Sequence, residues 1–186
     1  MDKLIILDAG HGGRYPGAIS KAPDNYRESV FALGVTWRLF NYLKSMGYHP
    51  IPTRGADIHL GESLNKDLLY RATFANKCRA DLFLSIHANS SNKNPEGCFG
   101  YECWIYKNSS NGNRFANGII KSFNGCFPDR KNRGIKESTR LVVLRETEMP
   151  AVLIEAGFMC SEEYRWLYDN KDEIAKAIAE GVHMSW

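Results

Sequence analysis

Leu4-Ile5-Ile6-Leu7-Asp8-Ala9-Gly10-His11-Gly12-Gly13 is the stretch on which the fold reading turns. Its four apolar residues are too few for a helix and end in a glycine-rich turn, which marks a buried strand. Two later stretches have the same form. Leu82-Phe83-Leu84-Ser85-Ile86 runs into His87-Ala88-Asn89, and Ala151-Val152-Leu153-Ile154 runs into Glu155-Ala156-Gly157. A polar residue of catalytic type follows each apolar run.

Between these stretches the apolar spacing changes to that of helices. Arg27 to Met46 carries a stripe of Val30, Leu33, Val35, Trp37, Leu39, Phe40 and Leu43, with Gly47 as a cap. Asp67–Lys77 reads as a second helix with Leu68, Leu69, Ala72 and Ala75 inward. Asn113–Phe123 reads as a third, and Glu162–Met184 as one or two, broken near Asp169-Asn170. His49–Pro52, Tyr101–Tyr106 and Arg140–Leu144 read as extended. Strands separated by helices imply an α/β fold: a twisted, mostly parallel mixed sheet flanked by helices on both faces.

Composition agrees with one folded unit over residues 1–186. The 186 residues are 44% hydrophobic and 24% charged, with no long block of one sign, so wholesale disorder is excluded. A net charge of +3 does not point to nucleic acid, which calls for a concentrated basic stripe. The local basic run from Asp129 to Arg140 reads first as a solvated loop. Five cysteines, an odd number with no Cys-x-x-Cys pair, argue against a disulfide framework and a thiolate zinc site. The expectation is of a chain made in the cytoplasm, with no signal peptide and no membrane segment, and released by another route or cut from an exported protein.

In an open α/β sheet, ligands bind beyond the carboxyl ends of the strands. Three strands ending in His11, His87 and Glu155 therefore place two imidazoles and a carboxylate at one edge. Glu28, in the first turn of the helix after the His11 loop, is a second carboxylate close by. Two histidines and a carboxylate form an open zinc site, with His11, Glu28 and His87 as ligands and a position left for water or substrate. A carboxylate outside the metal shell, Glu155, then moves the proton that amide hydrolysis requires.

Taken singly, each residue has an ordinary structural reading. His11 tolerates an unusual backbone, His87 is a core histidine, and Glu28 complements a helix dipole. Glu155 is harder to place so, because a buried carboxylate without a partner is unfavourable. Their joint arrival at one edge favours a site. A dinucleotide fingerprint fails here, since Tyr15 stands where its third glycine belongs.

These residues carry a family resemblance. Leu7–Gly13, Glu28, Ser85–Asn89 and Pro150–Phe158 resemble, in order and spacing, the zinc-dependent N-acetylmuramoyl-L-alanine amidases of the amidase-3 type. Thr53-Arg54, Arg71, Arg133-Gly134-Ile135-Lys136 and Val143–Thr147 add minor agreement, so the likeness spans almost the whole chain. The resemblance implies zinc at His11, Glu28 and His87, Glu155 as general base, and a phosphorylase/hydrolase-like sheet. It implies peptidoglycan as partner, cut between the lactyl group of N-acetylmuramic acid and L-alanine. Ala9 departs from the proline usual at that turn. The sequence shows no long extra helix between His87 and Glu155, so a self-blocking insertion is not expected. A zinc carboxypeptidase-like amidohydrolase and a non-catalytic wall-binding module are the alternative readings.

Overall fold

The computed structural model describes residues 2–21, 24–91, 98–160 and 162–186. Six strands form one sheet: β1 (Leu4–Ala9), β2 (His49–Pro52), β3 (Leu82–Asn89), β4 (Tyr101–Tyr106), β5 (Asn132–Ser138) and β6 (Ala151–Phe158). Their order is β2-β1-β3-β6-β4-β5. Among the described strands of this sheet only the β4–β6 pairing is antiparallel. The mostly parallel mixed sheet expected from the sequence is present.

Six helices cover it: α1 (Glu28–Ser45), α2 (Leu64–Cys78), α3 (Ser110–Cys126), α4 (Val142–Arg145), α5 (Glu163–Asp169) and α6 (Lys171–His183). Alternate residues of each strand face opposite layers. Ile5, Leu7, Leu84, Ile86, Cys103, Ile105, Val152 and Ile154 pack against α1, α3, α5 and α6. Ile6, Phe83, Ala151 and Leu153 face α2 and α4 in a smaller cluster. Asp8, Ser85, His87, Glu102 and Glu155 share the parity of this second face. They lie past the end of its apolar cluster, toward the carboxyl ends of β1, β3 and β6. Because β4 is reversed, its first residues reach the same edge, and so do those of β5.

The structure corrects several local expectations. Residues 142–145 of the supposedly extended Arg140–Leu144 stretch form the single helical turn α4. The basic run is not a solvated loop, since residues 132–138 form β5. The strands bearing His87 and Glu155 run further than their apolar cores, because backbone pairing continues through the functional residues. On α1 the buried stripe is Phe31, Ala32, Val35, Leu39 and Leu43, whereas Val30 and Trp37 are exposed. Gly47, at φ 83°, does close α1, its N–H donating to the Lys44 carbonyl.

Candidate active site

His11, Glu28 and His87 converge. Each offers a ligand atom, and these atoms all lie within 4.8 Å of one another. Both imidazoles approach the same carboxylate oxygen: Glu28 Oε1 is 3.1 Å from His11 Nε2 and 2.8 Å from His87 Nδ1. The other oxygen, Oε2, accepts the Ala18 N–H at 2.9 Å. Burial alone would raise the Glu28 carboxyl, but hydrogen bonds from both imidazoles outweigh it and hold the group well below the usual carboxylate range.

Glycine makes room for this cluster. A Cβ on Gly10 would stand 2.4 Å from His87 Cε1, and one on Gly17 would stand 2.5 Å from Glu28 Oε2. Both distances lie inside van der Waals contact. His11 itself adopts the left-handed region, φ 61°, which is unfavourable for a residue with a Cβ.

Two buried arginines hold that turn. Arg54 donates from Nε to the Ala9 carbonyl at 2.9 Å and from Nη2 to the Gly10 carbonyl at 2.9 Å. Arg71 donates to the His11 carbonyl at 2.6 Å and to the Ala9 carbonyl at 2.7 Å. Arg71 also pairs with Asp8 at 2.8 Å and Asp67 at 2.7 Å, all three being buried. Asp8 accepts further bonds from Thr53 and Ser85, each at 2.7 Å. Burial raises the Asp8 carboxyl, yet the Arg71 charge and these two hydroxyls lower it overall. In the sequence Arg71 added only minor agreement with the family; in the structure it could serve packing or site orientation. The geometry gives it both.

Glu155 stands directly opposite His87 in the β3–β6 ladder and opposite Glu102 in the β6–β4 ladder. Its Oε2 is shielded from solvent and has no hydrogen-bond partner among the described residues. Burial pushes its carboxyl well above the ordinary value, the charges of Glu28 and Glu102 push it further, and Lys136 opposes them.

Glu102 is the residue that sequence reading missed. Its Oε2 accepts from Arg133 Nε at 2.8 Å and Lys136 Nζ at 2.6 Å. Its Oε1 accepts from Trp104 Nε1 at 2.9 Å and Asn89 Nδ2 at 3.2 Å. Burial raises this carboxyl too, but the two cations reverse the effect and lower it. A signal was available: one glutamate inside an apolar strand needs cations, and the basic run supplied them.

Beside the imidazoles lies a cavity of about 260 Å³, lined mainly by Leu64, Leu68, Leu141, Val142 and Leu153, with Tyr15. The α4 turn contributes to this wall, while α3 packs with α6 on the opposite layer. The remaining histidines sit elsewhere: His49 pairs with Asp2, His59 with Arg14, and His183 with Tyr48. Tyr101 faces the opposite side of β4 from Trp104 and Tyr106, so the three do not form one aromatic row.

A set of two imidazoles and a carboxylate at a sheet edge, with a second carboxylate on the neighbouring strand, suits metal-assisted hydrolysis. Comparison with known proteins is specific on family. An uncharacterized protein of Clostridium perfringens is 32% identical over 96% of this chain and 51% of its own length. The endolysin of Bacillus phage SPP1 is 32% identical over 97% of this chain and 64% of its own. The chain thus spans between half and two thirds of these relatives. The CwlD amidase of Clostridioides difficile, solved in complex with the GerS lipoprotein, superposes with a TM-score of 0.91 at 29% identity, covering 98% of both chains. The Amidase_3 model, described as N-acetylmuramoyl-L-alanine amidase, matches residues 5–184. By these likenesses and by its fold, the chain belongs to the Amidase_3 family of N-acetylmuramoyl-L-alanine amidases.

Proposed function

We propose that residues 1–186 form one catalytic domain that hydrolyses peptidoglycan at the amide joining the lactyl group of N-acetylmuramic acid to L-alanine. Zinc is the cofactor, held by His11, Glu28 and His87. The donor set fits it. Two nitrogens sit 2.8 and 3.1 Å from a shared carboxylate oxygen, near the ~3.3 Å edge of a tetrahedron with bonds of about 2.0–2.1 Å. Gly10 and Gly17 leave space where any side chain would intrude.

When bound, zinc supplies Lewis acidity, polarising an amide carbonyl and acidifying water. The protein supplies the rest. Arg54 and Arg71 bond the carbonyls of the strained His11 turn and so restrain the backbone that carries the first imidazole. Glu155 accepts a proton from the attacking water as its oxygen adds to the lactyl carbonyl carbon. It then delivers that proton to the alanine nitrogen as the carbon–nitrogen bond breaks. The products are a lactyl carboxylate and a free L-alanine amino group.

The observation that carries this assignment is the contrast between two adjacent carboxylates. Glu102 accepts four donors, whereas Glu155 keeps an oxygen free of them. The target is the bacterial cell wall; no helix among the described residues is long and apolar enough to cross a membrane. Digestion of purified peptidoglycan tests the reading. New L-alanine amino ends with the glycan chains intact are expected. Release of C-terminal amino acids instead would mark a carboxypeptidase, and binding without any cleavage would mark a wall-binding module.

A further inference from the structure

We infer that Arg133 and Lys136 form a carboxylate-recognition subsite on the peptide side of the scissile amide, an inference that rests on the amidase reading above.

Both cations are held in place by protein contacts. Arg133 bonds Glu102 through Nε and lies over the Phe158 ring at 4.9 Å. Lys136 bonds the same Glu102 oxygen and lies over the Trp104 ring at 5.2 Å. Glu102 is 1% exposed, while the Arg133 and Lys136 side chains are 28% and 34% exposed. The carboxylate is therefore interior and the cations face outward. Two positive charges on one negative leave a surplus of +1 beside Glu155.

Donors also remain. A guanidinium carries five N–H groups and an ammonium three. Among the described residues the only hydrogen bonds from these side chains are one from Arg133 Nε and one from Lys136 Nζ, both to Glu102. Both Nη groups of Arg133 are left to present the planar fork that matches a carboxylate, with its orientation set by the other edge.

Position selects the ligand. From His87 to Glu102 the sheet advances two strands, through β6 to β4, or roughly 10 Å at a spacing of about 4.8 Å. An extended peptide spans about 3.3–3.6 Å per residue. The α-carboxylate of the residue after L-alanine thus falls within reach when the amide lies at the metal cluster. The N-acetylated sugar beyond the lactyl group is uncharged, so the anions near the cut bond belong to the peptide.

The test uses zinc-loaded enzyme and a matched pair of substrates, N-acetylmuramoyl-L-alanine extended by γ-linked D-glutamate with its α-carboxyl either free or amidated. Wild type is expected to favour the free carboxylate by about tenfold or more in kcat/KM, expressed mainly in KM, given the strength of charged hydrogen bonds. Raised salt is expected to shrink that ratio without any substitution. Arg133→Gln and Lys136→Gln, each of which leaves Glu102 one cation, are expected to bring the ratio toward one, with Arg133→Lys intermediate. Equal kcat/KM for the two substrates in wild type, or a ratio unmoved in both Gln variants, overturns this inference alone. Cleavage of neither substrate overturns the amidase reading and this inference with it.

Discussion

Glu102 and Glu155 are cross-strand neighbours on β4 and β6, yet their environments push their carboxyl groups in opposite directions. Two cations and two neutral donors saturate Glu102 and keep it ionised, so it has no lone pair to spare for catalysis. Glu155 is raised by burial and by its negative neighbours. Glu155→Gln keeps the shape and removes the proton acceptor. It is expected to reduce kcat by about 10²–10⁴-fold, the range of general acid–base catalysis, while bound zinc stays at wild-type stoichiometry. Steady-state kinetics paired with metal analysis checks this. Loss of zinc in that variant reassigns Glu155 as a ligand.

Glu102→Gln differs in kind. The amide offers one acceptor oxygen in place of two and cannot offset the charges of Arg133 and Lys136. Zinc content is expected to hold, while KM rises because both cations lose their anchor. A variant in which zinc is lost but KM is unchanged contradicts that division between the metal cluster and its neighbour.

Chelation tests the cluster as a whole. Removing divalent metal from the wild type is expected to abolish hydrolysis, and zinc to restore it. His87→Ala is expected to bind zinc poorly, because a two-ligand site lacks the geometry of a three-ligand one. Full activity in excess chelator removes the metal from the account.

Much of this was legible before the structure. Leu4–Leu7, Leu82–Ile86 and Ala151–Ile154 declared themselves as strands, because burial on both faces leaves near-continuous apolar runs. Their polar endings pointed to one edge, and β1, β3 and β6 are indeed contiguous there. β5 was illegible for a physical reason. Arg133 and Lys136 read as solvated charge, whereas they lie on a strand that ladders with β4 and both bond the distant Glu102. The Asp8–Arg71 pair, separated by 63 residues, was hidden in the same way. Long-range ion pairs leave no periodic trace.

That buried pair contributes to the acid stability of the fold. The folded Asp8 carboxyl lies below its ordinary value. Its contribution is therefore present in full above the unfolded pKa of about 3.9 and is lost as pH falls through the folded value. The denaturant midpoint is expected to fall in acid, and Asp8→Asn to flatten that dependence. Arg71→Met strands two buried carboxylates. It is expected to cost about 3–5 kcal/mol at neutral pH, or roughly 10 °C in Tm for a chain this size. A Tm within 2 °C of wild type is the contrary result.

Gly10 offers the cleanest separation of site from scaffold. It follows β1 directly, its N–H donates to the Ile86 carbonyl at 3.0 Å, and its α-carbon lies against the His87 ring. Its φ lies outside the left-handed region, so alanine meets no backbone objection there. The objection is the imidazole: three of its ring atoms stand 2.4–2.7 Å from the new methyl carbon. Gly10→Ala must then turn the His87 ring while leaving the strand ladder in place. Zinc affinity is expected to fall by about 10–100-fold, as when a ligand's orienting contacts are lost, with activity recovering at higher zinc. Tm of the metal-free protein is expected to change little, because the displaced ring lies at the open edge of the sheet. Wild-type zinc affinity in Gly10→Ala argues that His87 does not meet the metal from this side of the turn.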